Sequence, residues 1–366
     1  MAQVLVCGPG TLHRLPGVVR DLGLRHVLLV ADAGIRAAGY ADEASRLLAE
    51  GGTAVDHFDQ FGENPTSDMI EAGRAHAAPL GVDGLIALGG GSSLDCAKGI
   101  NFVLTNGGTM ADYRGYGKAT RALLPMVGIP TTAGTGSEAQ SYAIISDPRT
   151  HEKMACGDAK AAFRAVILDP VLTVTQPASV TAAAGYDALS HAVETWVTRV
   201  RNPVSDLFAQ EAWTKLSGSF ARVLSHPSDL AAREAMLLGA HLAGSAIERS
   251  MLGATHACAN ALTAHRGTVH GVAIAIFLRH VVRWNAGRDG AVAARYAQLD
   301  PDLAIRLDAL ASAGGFPSGV AATGASREAM EALTTMAARQ WTGTFNPVPF
   351  DVEAAREIFD LAWAAA

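Results

Sequence analysis

The sequence predicts an α/β region followed by an all-helical region, and three observations support this prediction. Over roughly the first 170 residues, short β-branched runs alternate with helical patterns, which is typical of βαβ units and a largely parallel sheet. From about Val171 onwards, long helical stretches rich in Ala and Leu follow. Glycine-rich turns come directly after two of the predicted strands. We therefore predict a Rossmann-like dinucleotide-binding domain over residues 1–170 and an all-helical domain over residues 171–366.

The elements of the first domain can be assigned in order from their patterns. Apolar, β-branched runs predict strands at Val4–Cys7, His26–Ala31, Ala54–Phe58, Gly84–Leu88 and Met126–Ile129. Helical periodicity, with a Pro in the first turn of the first helix, predicts helices at Pro16–Leu22, Asp42–Glu50, Asp68–Ala78 and Leu94–Phe102. This alternation is that of nucleotide-binding α/β proteins.

Composition narrows the class of protein. The chain has 366 residues, of which 49% are hydrophobic and 17% charged, and its net charge of −6 comes without any Lys/Arg-rich run, which argues against a nucleic-acid partner. The four cysteines are scattered without a CxxC motif, which favours a reduced cytoplasmic location over a disulfide framework. The sequence has neither a signal-like N-terminus nor an apolar run of membrane-spanning length. We expect a soluble cytoplasmic protein that acts on small molecules.

The glycine-rich turns are candidate phosphate-binding loops. Gly89–Ser93 follows one predicted strand and precedes a helix, so backbone amides and the helix N-terminus could bind a diphosphate. The alternative is a strand-to-helix turn without a ligand. A second loop, Pro130–Glu138, offers hydroxyl groups that could bind phosphate, ribose or the nicotinamide amide. The early Gly8–Leu12 is only a partial GxGxxG motif, because its third glycine is missing.

Asp32 follows the second predicted strand. A carboxylate there can accept hydrogen bonds from an adenosine ribose and repel a 2′-phosphate, which favours NAD over NADP. The alternative is an ordinary turn residue ahead of Gly34.

Four potential metal ligands occur as two pairs. Asp187 and His191 are four residues apart in a helical run, so their side chains share one helix face. His256 and His270 would be about 21 Å apart on one unbroken helix, too far to share an ion. If the helix ends near Gly267, a turn can bring His270 back. One carboxylate with three imidazoles suits Fe²⁺ or Zn²⁺. Each histidine taken alone, however, is more often a hydrogen-bonded core residue than a metal ligand.

Together these residues resemble the iron-containing (group III) alcohol dehydrogenase family. The motifs match in order along the chain: Gly89–Ser92 with Asp95 and Lys98, Pro130–Thr132 with Gly134–Glu138, Asp187–Glu194, and His270–Ala273, with smaller matches from Asn64–Thr66 to Asn346–Pro347. The resemblance implies a dehydroquinate synthase-like fold, an N-terminal dinucleotide-binding domain, a helical C-terminal domain and an iron or zinc ion. It also implies that Asp187, His191, His256 and His270 bind this ion.

The resemblance further predicts the cofactor, the reaction and the assembly. The cofactor is NAD(H), and the expected contacts are Asp32, Asn64, Gly90, Gly91, Ser92, Asp95, Lys98, Thr131, Thr132, Thr135 and Ser137. The ion would act as a Lewis acid on the substrate oxygen while hydride passes between the nicotinamide and a small aldehyde or primary alcohol. Relatives are commonly dimers or larger, so we expect a homo-oligomer.

Two departures from the family pattern bear on the substrate. Many members have a second histidine four residues after the third ligand, near the nicotinamide, but here the residue is Asn260, whose amide cannot exchange a proton near neutral pH. Arg249 and Arg266 are unusual charges that could bind an anionic aldehyde such as phosphonoacetaldehyde. The alternative for Arg249 is an ion pair with Glu248 or a solvated position. Tyr142 is a third candidate for substrate contact.

Three other functions share parts of this architecture. A maleylacetate-reductase-like enzyme would reduce an oxo-acid, typically without a metal, and the complete ligand set argues against it. A dehydroquinate-synthase-like lyase would use bound NAD and a metal, but Gly134–Glu138 and Asp187–Glu194 match dehydrogenases more closely. A noncatalytic nucleotide-binding protein is hard to reconcile with four intact ligands.

Overall fold

The computed structural model describes residues 3–150 and 152–363, in which the chain divides into two compact units. The first comprises Ser137–Thr175 and the chain before Ala133, and the second comprises Ala133–Gly136 and the chain from Gln176 onwards. This division comes slightly later than the predicted boundary at residue 170. The physical reason is that Leu172 is buried in the core of the first unit. The hydroxyls of Thr175 and Tyr40 also share a 3.0 Å hydrogen bond, which holds Thr175 to the same unit.

The first unit contains two β-sheets. The strands in its described part are β1 (Val4–Cys7), β2 (His26–Val30), β3 (Ala54–Phe58), β4 (Gly84–Gly89), β5 (Gly115–Tyr116), β6 (Met126–Pro130), β7 (Tyr142–Ser146), β8 (Lys153–Gly157) and β9 (Ala165–Leu168). Six of them form a parallel sheet in the order β1-β9-β6-β4-β2-β3, within the residues described. The other three form a small sheet in the order β5-β8-β7, in which β7 and β8 are antiparallel.

Helices alternate with these strands as the sequence predicts. They are α1 (Leu15–Asp21), α2 (Ala33–Ala37), α3 (Tyr40–Glu50), α4 (Ser67–Ala77) and α5 (Gly91–Asn106). α5 is longer than predicted at both ends, because it starts inside the glycine-rich loop with Gly90 as its N-cap and meets no breaking residue before Gly107. The short α2 was not predicted, and it starts at Asp32, whose side chain caps it.

The strand order of the large sheet reverses between β2 and β4. From β2 the chain proceeds to β3 on one side, and from β4 it proceeds through β6 to β9 on the other. β2 and β4 are nonetheless direct neighbours, with Val30 paired to Ala87. The carboxyl ends of strands at such a reversal form the usual ligand-binding crevice of open α/β sheets. The loops after β2 and β4 therefore lie where a dinucleotide would be expected.

The second unit is helical, as predicted. Its helices in the described residues are α6 (Ala178–Val197), α7 (Pro203–Ser225), α8 (Leu230–Arg249), α9 (Ala254–Arg266), α10 (His270–Arg288), α11 (Gly290–Leu299), α12 (Leu303–Ala313), α13 (Met330–Ala338) and α14 (Val352–Trp363). α6 is buried over most of its length because α7, α8 and α10 all pack against it. Polar side chains on α6 are therefore held in an apolar interior. Within the described chain, none of the helices combines the length and the hydropathy needed to cross a bilayer.

Candidate metal centre

α6 supplies two of the four predicted metal ligands from one face. Asp187 and His191 are one turn apart, and their side chains are only 7% and 5% exposed. Ser190 and Thr195 turn their hydroxyls back to the carbonyls of Asp187 and His191, which satisfies those polar groups within the helix. The carboxylate and the imidazole are thus held on one buried helix, largely shielded from solvent.

The other two ligands come from α9 and α10, joined by the tight turn that the sequence predicts. α9 ends at Arg266, Gly267 follows in the left-handed conformation with φ of 65°, and α10 begins at His270. The prediction that the helix breaks near Gly267 and returns His270 to the other ligands is therefore confirmed. His256 lies in the first turn of α9 and is buried.

The N-terminus of α10 lies in direct contact with α6. A Cβ atom added to Gly271 would lie 2.1 Å from the carbonyl oxygen of Ala183, so only glycine allows this approach. The preceding residue, His270, is thereby brought next to Asp187. At 26% exposure, His270 is the most accessible of the four ligand side chains, whereas the other three are nearly enclosed. A substrate would approach the centre from the His270 side.

The ligand atoms converge on Asp187 Oδ1. Its distances to Nε2 of His191, His256 and His270 are 3.3, 3.4 and 3.7 Å, and Nε2 of His191 and His256 are 3.2 Å apart. The ligand atoms of Asp187, His256 and His270 all lie within 4.8 Å of one another. An ion about 2.1 Å from each of four tetrahedral ligands would separate those ligands by about 3.4 Å. The four distances of 3.2 to 3.7 Å are close to the edge length of such a shell, whereas His191 lies outside the group of three residues whose ligand atoms are all mutually close.

The chemistry of the donors also fits a cation. Asp187 Oδ1 is buried and has no hydrogen-bond partner in the described structure, although buried carboxylate oxygens normally have one. Hydrogen bonds alone would leave this atom unsatisfied, whereas a divalent ion would satisfy it. One anionic oxygen with three imidazole nitrogens is a donor set suited to Fe²⁺ or Zn²⁺.

Burial and neighbouring charges shift the pKa values of the candidate ligands. Burial alone would raise the pKa of Asp187, but the imidazoles of His191, His270 and His256 lower it, so this carboxyl is anionic. Burial lowers the pKa of His191 and keeps it neutral. Burial opposes protonation of His256 as well, but the carboxylates of Glu194 and Asp187 raise its pKa to about 9. Metal binding at neutral pH must then displace a proton from His256.

The sequence interpretation assigned no role to Glu194, although it lies inside the quoted Asp187–Glu194 motif. Its Oε2 is 2.5 Å from Nδ1 of His256, and the side chain is buried. Metal-binding histidines commonly donate their other ring nitrogen to a carboxylate. Its position in the sequence could have indicated this role, because Glu194 comes seven residues after Asp187 and so lies on the same helix face two turns later.

In the first unit, the loops after β2 and β4 lie together. Asp32 caps α2 by accepting a 3.0 Å hydrogen bond from the Ile35 amide, and its other oxygen is 3.3 Å from the Ser93 hydroxyl. The N-cap of α5 is Gly90, which has no side chain that could cap the first amides of the helix. This is the backbone arrangement that binds phosphate at a helix N-terminus.

Further predicted cofactor contacts border the same loop. The backbone amide of Asn64 donates to the Ser92 hydroxyl at 3.1 Å. Asn64 has a φ of 53°, a left-handed value that Asn tolerates. The Thr131 amide donates to the Gly89 carbonyl at 2.9 Å, which extends the pairing of β4 and β6. The methyl carbon of Thr132 lies beside Gly90, 3.2 Å from the Cβ that a larger residue would have there.

Three of the predicted cofactor contacts are buried below the loop instead. Lys98 has no exposed surface, and its ammonium donates to the Ser137 carbonyl and hydroxyl and to the Tyr142 carbonyl. Asp95 accepts from the Ser137 hydroxyl and the Ile144 amide. A helix that starts at Gly91 directs Asp95 and Lys98 inwards. In this structure Asp95, Lys98 and Ser137 bond to one another, and contact of Lys98 with the cofactor stays a prediction.

Two other predicted residues have different surroundings. Thr135 lies in Ala133–Gly136, which belongs to the second unit, and its side chain is exposed. Tyr142 packs against Tyr116 in the small sheet of the first unit, with ring centroids 5.5 Å apart and the ring planes tilted by 41°. The Tyr142 ring also lies against Gly157, so packing accounts for much of its surface.

The candidate substrate residues lie at helix positions of the second unit. Asn260 is one turn after His256 on α9 and donates its amide to Gln340 Oε1 at 3.4 Å. Arg249 ends α8 with an exposed side chain, and in the described structure its guanidinium forms no ion pair, including with Glu248. Arg266 ends α9, and its guanidinium lies next to Gly324.

Comparisons with known proteins agree with the fold and with the family that the motifs indicate. A model of the iron-containing alcohol dehydrogenase family matches residues 2–170, and a model of its C-terminal part matches residues 181–363. The chain is 36% identical over 292 residues to alcohol dehydrogenase 4 of Schizosaccharomyces pombe, covering 80% of this chain and 69% of that one. It is 31% identical over 358 residues to the NAD-dependent methanol dehydrogenase of Bacillus methanolicus, covering 93% of each.

Solved structures lead to the same conclusion. A crystal structure of 1,3-propanediol oxidoreductase superposes with a TM-score of 0.94 at 30% identity and covers 98% of both chains. The family predicted from the motifs is therefore confirmed over both units. The chain belongs to the iron-containing alcohol dehydrogenase family and is an oxidoreductase.

Proposed function

We propose that the protein interconverts a small primary alcohol and its aldehyde with NAD(H), using Fe²⁺, or alternatively Zn²⁺, bound by Asp187, His191, His256 and His270. The observation that carries this proposal is the convergence of three imidazole Nε2 atoms within 3.7 Å of Asp187 Oδ1, a buried oxygen without a hydrogen bond. Such a donor set is costly to bury unless it binds a cation.

The bound ion would supply Lewis-acid polarisation of the substrate oxygen. The residues of the chain would bind this ion and balance its charge. Asp187 contributes the single negative charge of the shell, and the three imidazoles bind through neutral nitrogens. Asn260 can hydrogen-bond the cofactor or substrate but cannot exchange a proton near neutral pH, so proton delivery would rely on water or a cofactor hydroxyl.

NAD(H) is the cofactor that the first unit supports best. Its glycine loop, the α5 N-terminus and Asp32 lie at the carboxyl ends of β2 and β4, the usual dinucleotide position. Asp32 would accept from the ribose and disfavour a 2′-phosphate. The relative from Bacillus methanolicus is named as NAD-dependent, in agreement with this proposal.

An anionic aldehyde, such as phosphonoacetaldehyde, is the finer part of the proposal. Arg249 is exposed and, among the described residues, has no carboxylate partner, so its guanidinium is available for a phosphonate or carboxylate. Arg266, at the end of the helix that carries His256, is the second candidate.

The substrate class is tested by kcat/KM for paired anionic and neutral aldehydes. We expect Arg249→Ala to lower kcat/KM for the anionic aldehyde alone, by roughly tenfold or more, as for loss of a charge-assisted hydrogen bond. Arg356→Ala, an exposed arginine on α14, is the matched control. An unchanged ratio of the two aldehydes in Arg249→Ala would remove the anionic substrate from the proposal and leave the dehydrogenase activity in place.

A homodimer or larger assembly and a cytoplasmic location stay predictions. The first is checked by light scattering of the purified protein and the second by fractionation of the source cells.

A further inference from the structure

We propose that Glu194 is a positioning residue for the metal centre: it holds His256 in the tautomer that presents a bare Nε2 to the ion and thereby sets the metal affinity. This inference rests on the proposed function only in that the four ligands bind a metal. It concerns a residue that touches one ligand and no reacting atom.

The geometry fixes which ring nitrogen keeps its proton when a metal displaces the other one. Glu194 Oε2 is 2.5 Å from His256 Nδ1, and a carboxylate can only accept, so Nδ1 is the donor. On the opposite side of the ring, Nε2 faces Asp187 Oδ1 at 3.4 Å and His191 Nε2 at 3.2 Å. An imidazole with its proton committed to Nδ1 keeps the Nε2 lone pair for a metal.

Glu194 is itself held by a second donor. Its Oε1 accepts a 2.7 Å hydrogen bond from the backbone amide of Thr255, the residue before His256. This amide belongs to the first turn of α9, whose N-cap, Gly253, has no side chain to accept it. Glu194 therefore acts as a cap from another helix, and the positive end of the α9 dipole stabilises its negative charge. One carboxylate thus orients both the ligand and the helix that carries it.

A separate contact secures the same helix without touching the ligand. Asn346 Oδ1 lies 3.3 Å from the Ala254 amide, and Asn346 Nδ2 donates to Asn285 Oδ1 at 2.8 Å. Asn285 in turn donates to the Tyr296 hydroxyl at 3.1 Å. Because the start of α9 has this independent support, loss of the Glu194 charge is expected to disturb the tautomer of His256 more than the position of the helix.

Glutamine at position 194 separates charge from shape. The side chain of Glu194 accepts from two N–H groups, whereas an amide of the same size has one acceptor oxygen and one NH₂ donor. If the NH₂ faces His256, Nδ1 must accept and the proton moves to Nε2, where it blocks the ion. If the NH₂ faces Thr255, two donors oppose each other in a buried position, which costs about 1–3 kcal/mol of folding free energy. The first orientation weakens metal binding directly, and the second disfavours itself by that cost, so the first is the one we expect.

The test is a chelator competition that measures the Kd for Zn²⁺, without any activity assay. We expect Glu194→Gln to raise the Kd by about 10- to 100-fold, the usual effect of losing such a partner. The matched control is Glu357→Gln on α14, where the carboxylate accepts from Trp284 Nε1 at 2.6 Å and pairs with Arg288 far along α10 from His270. This control should leave the Kd within about twofold.

A merely structural role is distinguished by the tautomer itself. In Zn²⁺-loaded protein with isotope-labelled histidine, NMR should find the Nδ1 proton of His256 strongly hydrogen-bonded, and in any metal-bound Glu194→Gln this strong hydrogen bond should be lost. Asn346→Ser, which weakens the other support of α9, should lower the melting temperature yet keep this hydrogen bond.

The outcomes separate the two proposals. If the unaltered protein binds no Zn²⁺ or Fe²⁺, the proposed function fails. If it binds metal and Glu194→Gln binds it equally well with the proton on Nδ1, this inference is wrong. Should Glu194→Gln not fold, Glu194→Asp takes its place: its shorter carboxylate cannot bridge Thr255 and His256, so weaker binding is expected and an unchanged Kd would overturn the inference.

Discussion

Asp187 is the residue on which the metal centre depends most. Three imidazole nitrogens lie 3.3 to 3.7 Å from its Oδ1, and they, rather than any hydrogen bond within the described chain, surround this oxygen. The pKa of Asp187 is lowered although burial opposes ionisation, so the anion persists inside the protein. The residues around it follow from that charge: Glu194 orients His256, and His270 leaves the centre open on one side.

Asp32 carries the cofactor preference in our account. We predict that Asp32→Asn will raise kcat/KM for NADPH relative to NADH by roughly tenfold, because on the order of 1 to 2 kcal/mol of repulsion from the 2′-phosphate disappears. Asn caps helices as well as Asp, so α2 should stay intact. Asp229→Asn, the same change at the N-cap of α8, is the control and should leave the ratio unchanged. If Asp32→Asn left the ratio of kcat/KM for NADPH to that for NADH unaltered, this carboxylate would not discriminate between the two cofactors.

The sequence was sufficient to predict four candidate ligands that the structure brings close to Asp187, but not the residues that support them. Asp187 and His191 follow from helical spacing, whereas His256 and His270 needed the turn at Gly267 and the family resemblance to join them. The direction of Lys98 could not be read, because it depends on where α5 begins: a start at Gly91 turns Lys98 towards Ser137. The contact between Glu194 and His256 could not be predicted from the sequence either, because it joins two helices that are distant in sequence.

At the level of elements, the site depends on how closely α10 approaches α6. The approach is set by Gly271, where a side chain would collide with the Ala183 carbonyl. In the first unit, the strand order brings the candidate cofactor residues together. It makes β2 and β4 neighbours, so the loops that contain Asp32 and Ser93 lie side by side. Alternating patterns predict such elements well, but closeness between helix backbones is a tertiary property that no periodicity encodes.

Gly271→Ala tests this close approach. We expect it to destabilise the fold by about 1–3 kcal/mol through overpacking and to weaken metal binding, because His270 is the adjacent residue. The control is Gly287→Ala in the same helix, where nothing lies within 4 Å of the added Cβ and replacement of glycine should be neutral or stabilise by up to about 1 kcal/mol. Chemical denaturation and a Zn²⁺ titration measure both effects. Equal behaviour of the two variants would contradict the packing argument.

At the level of the whole molecule, each unit has its own chemistry. The first has the proposed dinucleotide loops on a parallel sheet, and the second has the proposed cation site, to which α6, α9 and α10 contribute residues. An ion there acts as a crosslink between three helices that are far apart in sequence. It should therefore stabilise the folded state, since the unfolded chain offers no such assembled site.

Metal loading should consequently raise the melting temperature. At a free metal concentration of about 100 times Kd, the gain is about 2.7 kcal/mol, which for a unit of about 200 residues corresponds to roughly 5–10 °C. Scanning fluorimetry of chelator-stripped protein, with and without Zn²⁺, measures this shift. Asp187→Ala, which lacks the central ligand, should show little or none. A shift of the same size in Asp187→Ala would locate the stabilising ion elsewhere.

The most direct test of the central claim is NADH oxidation with small aldehydes, by protein loaded anaerobically with Fe²⁺, then stripped by chelator, then reloaded. We predict turnover that disappears with the metal, returns with it, and is lower by roughly 10²- to 10⁴-fold in Asp187→Ala, since Lewis-acid stabilisation is worth several kcal/mol. Turnover that persists after verified removal of the metal, or that survives in Asp187→Ala, would contradict a catalytic ion at these four ligands.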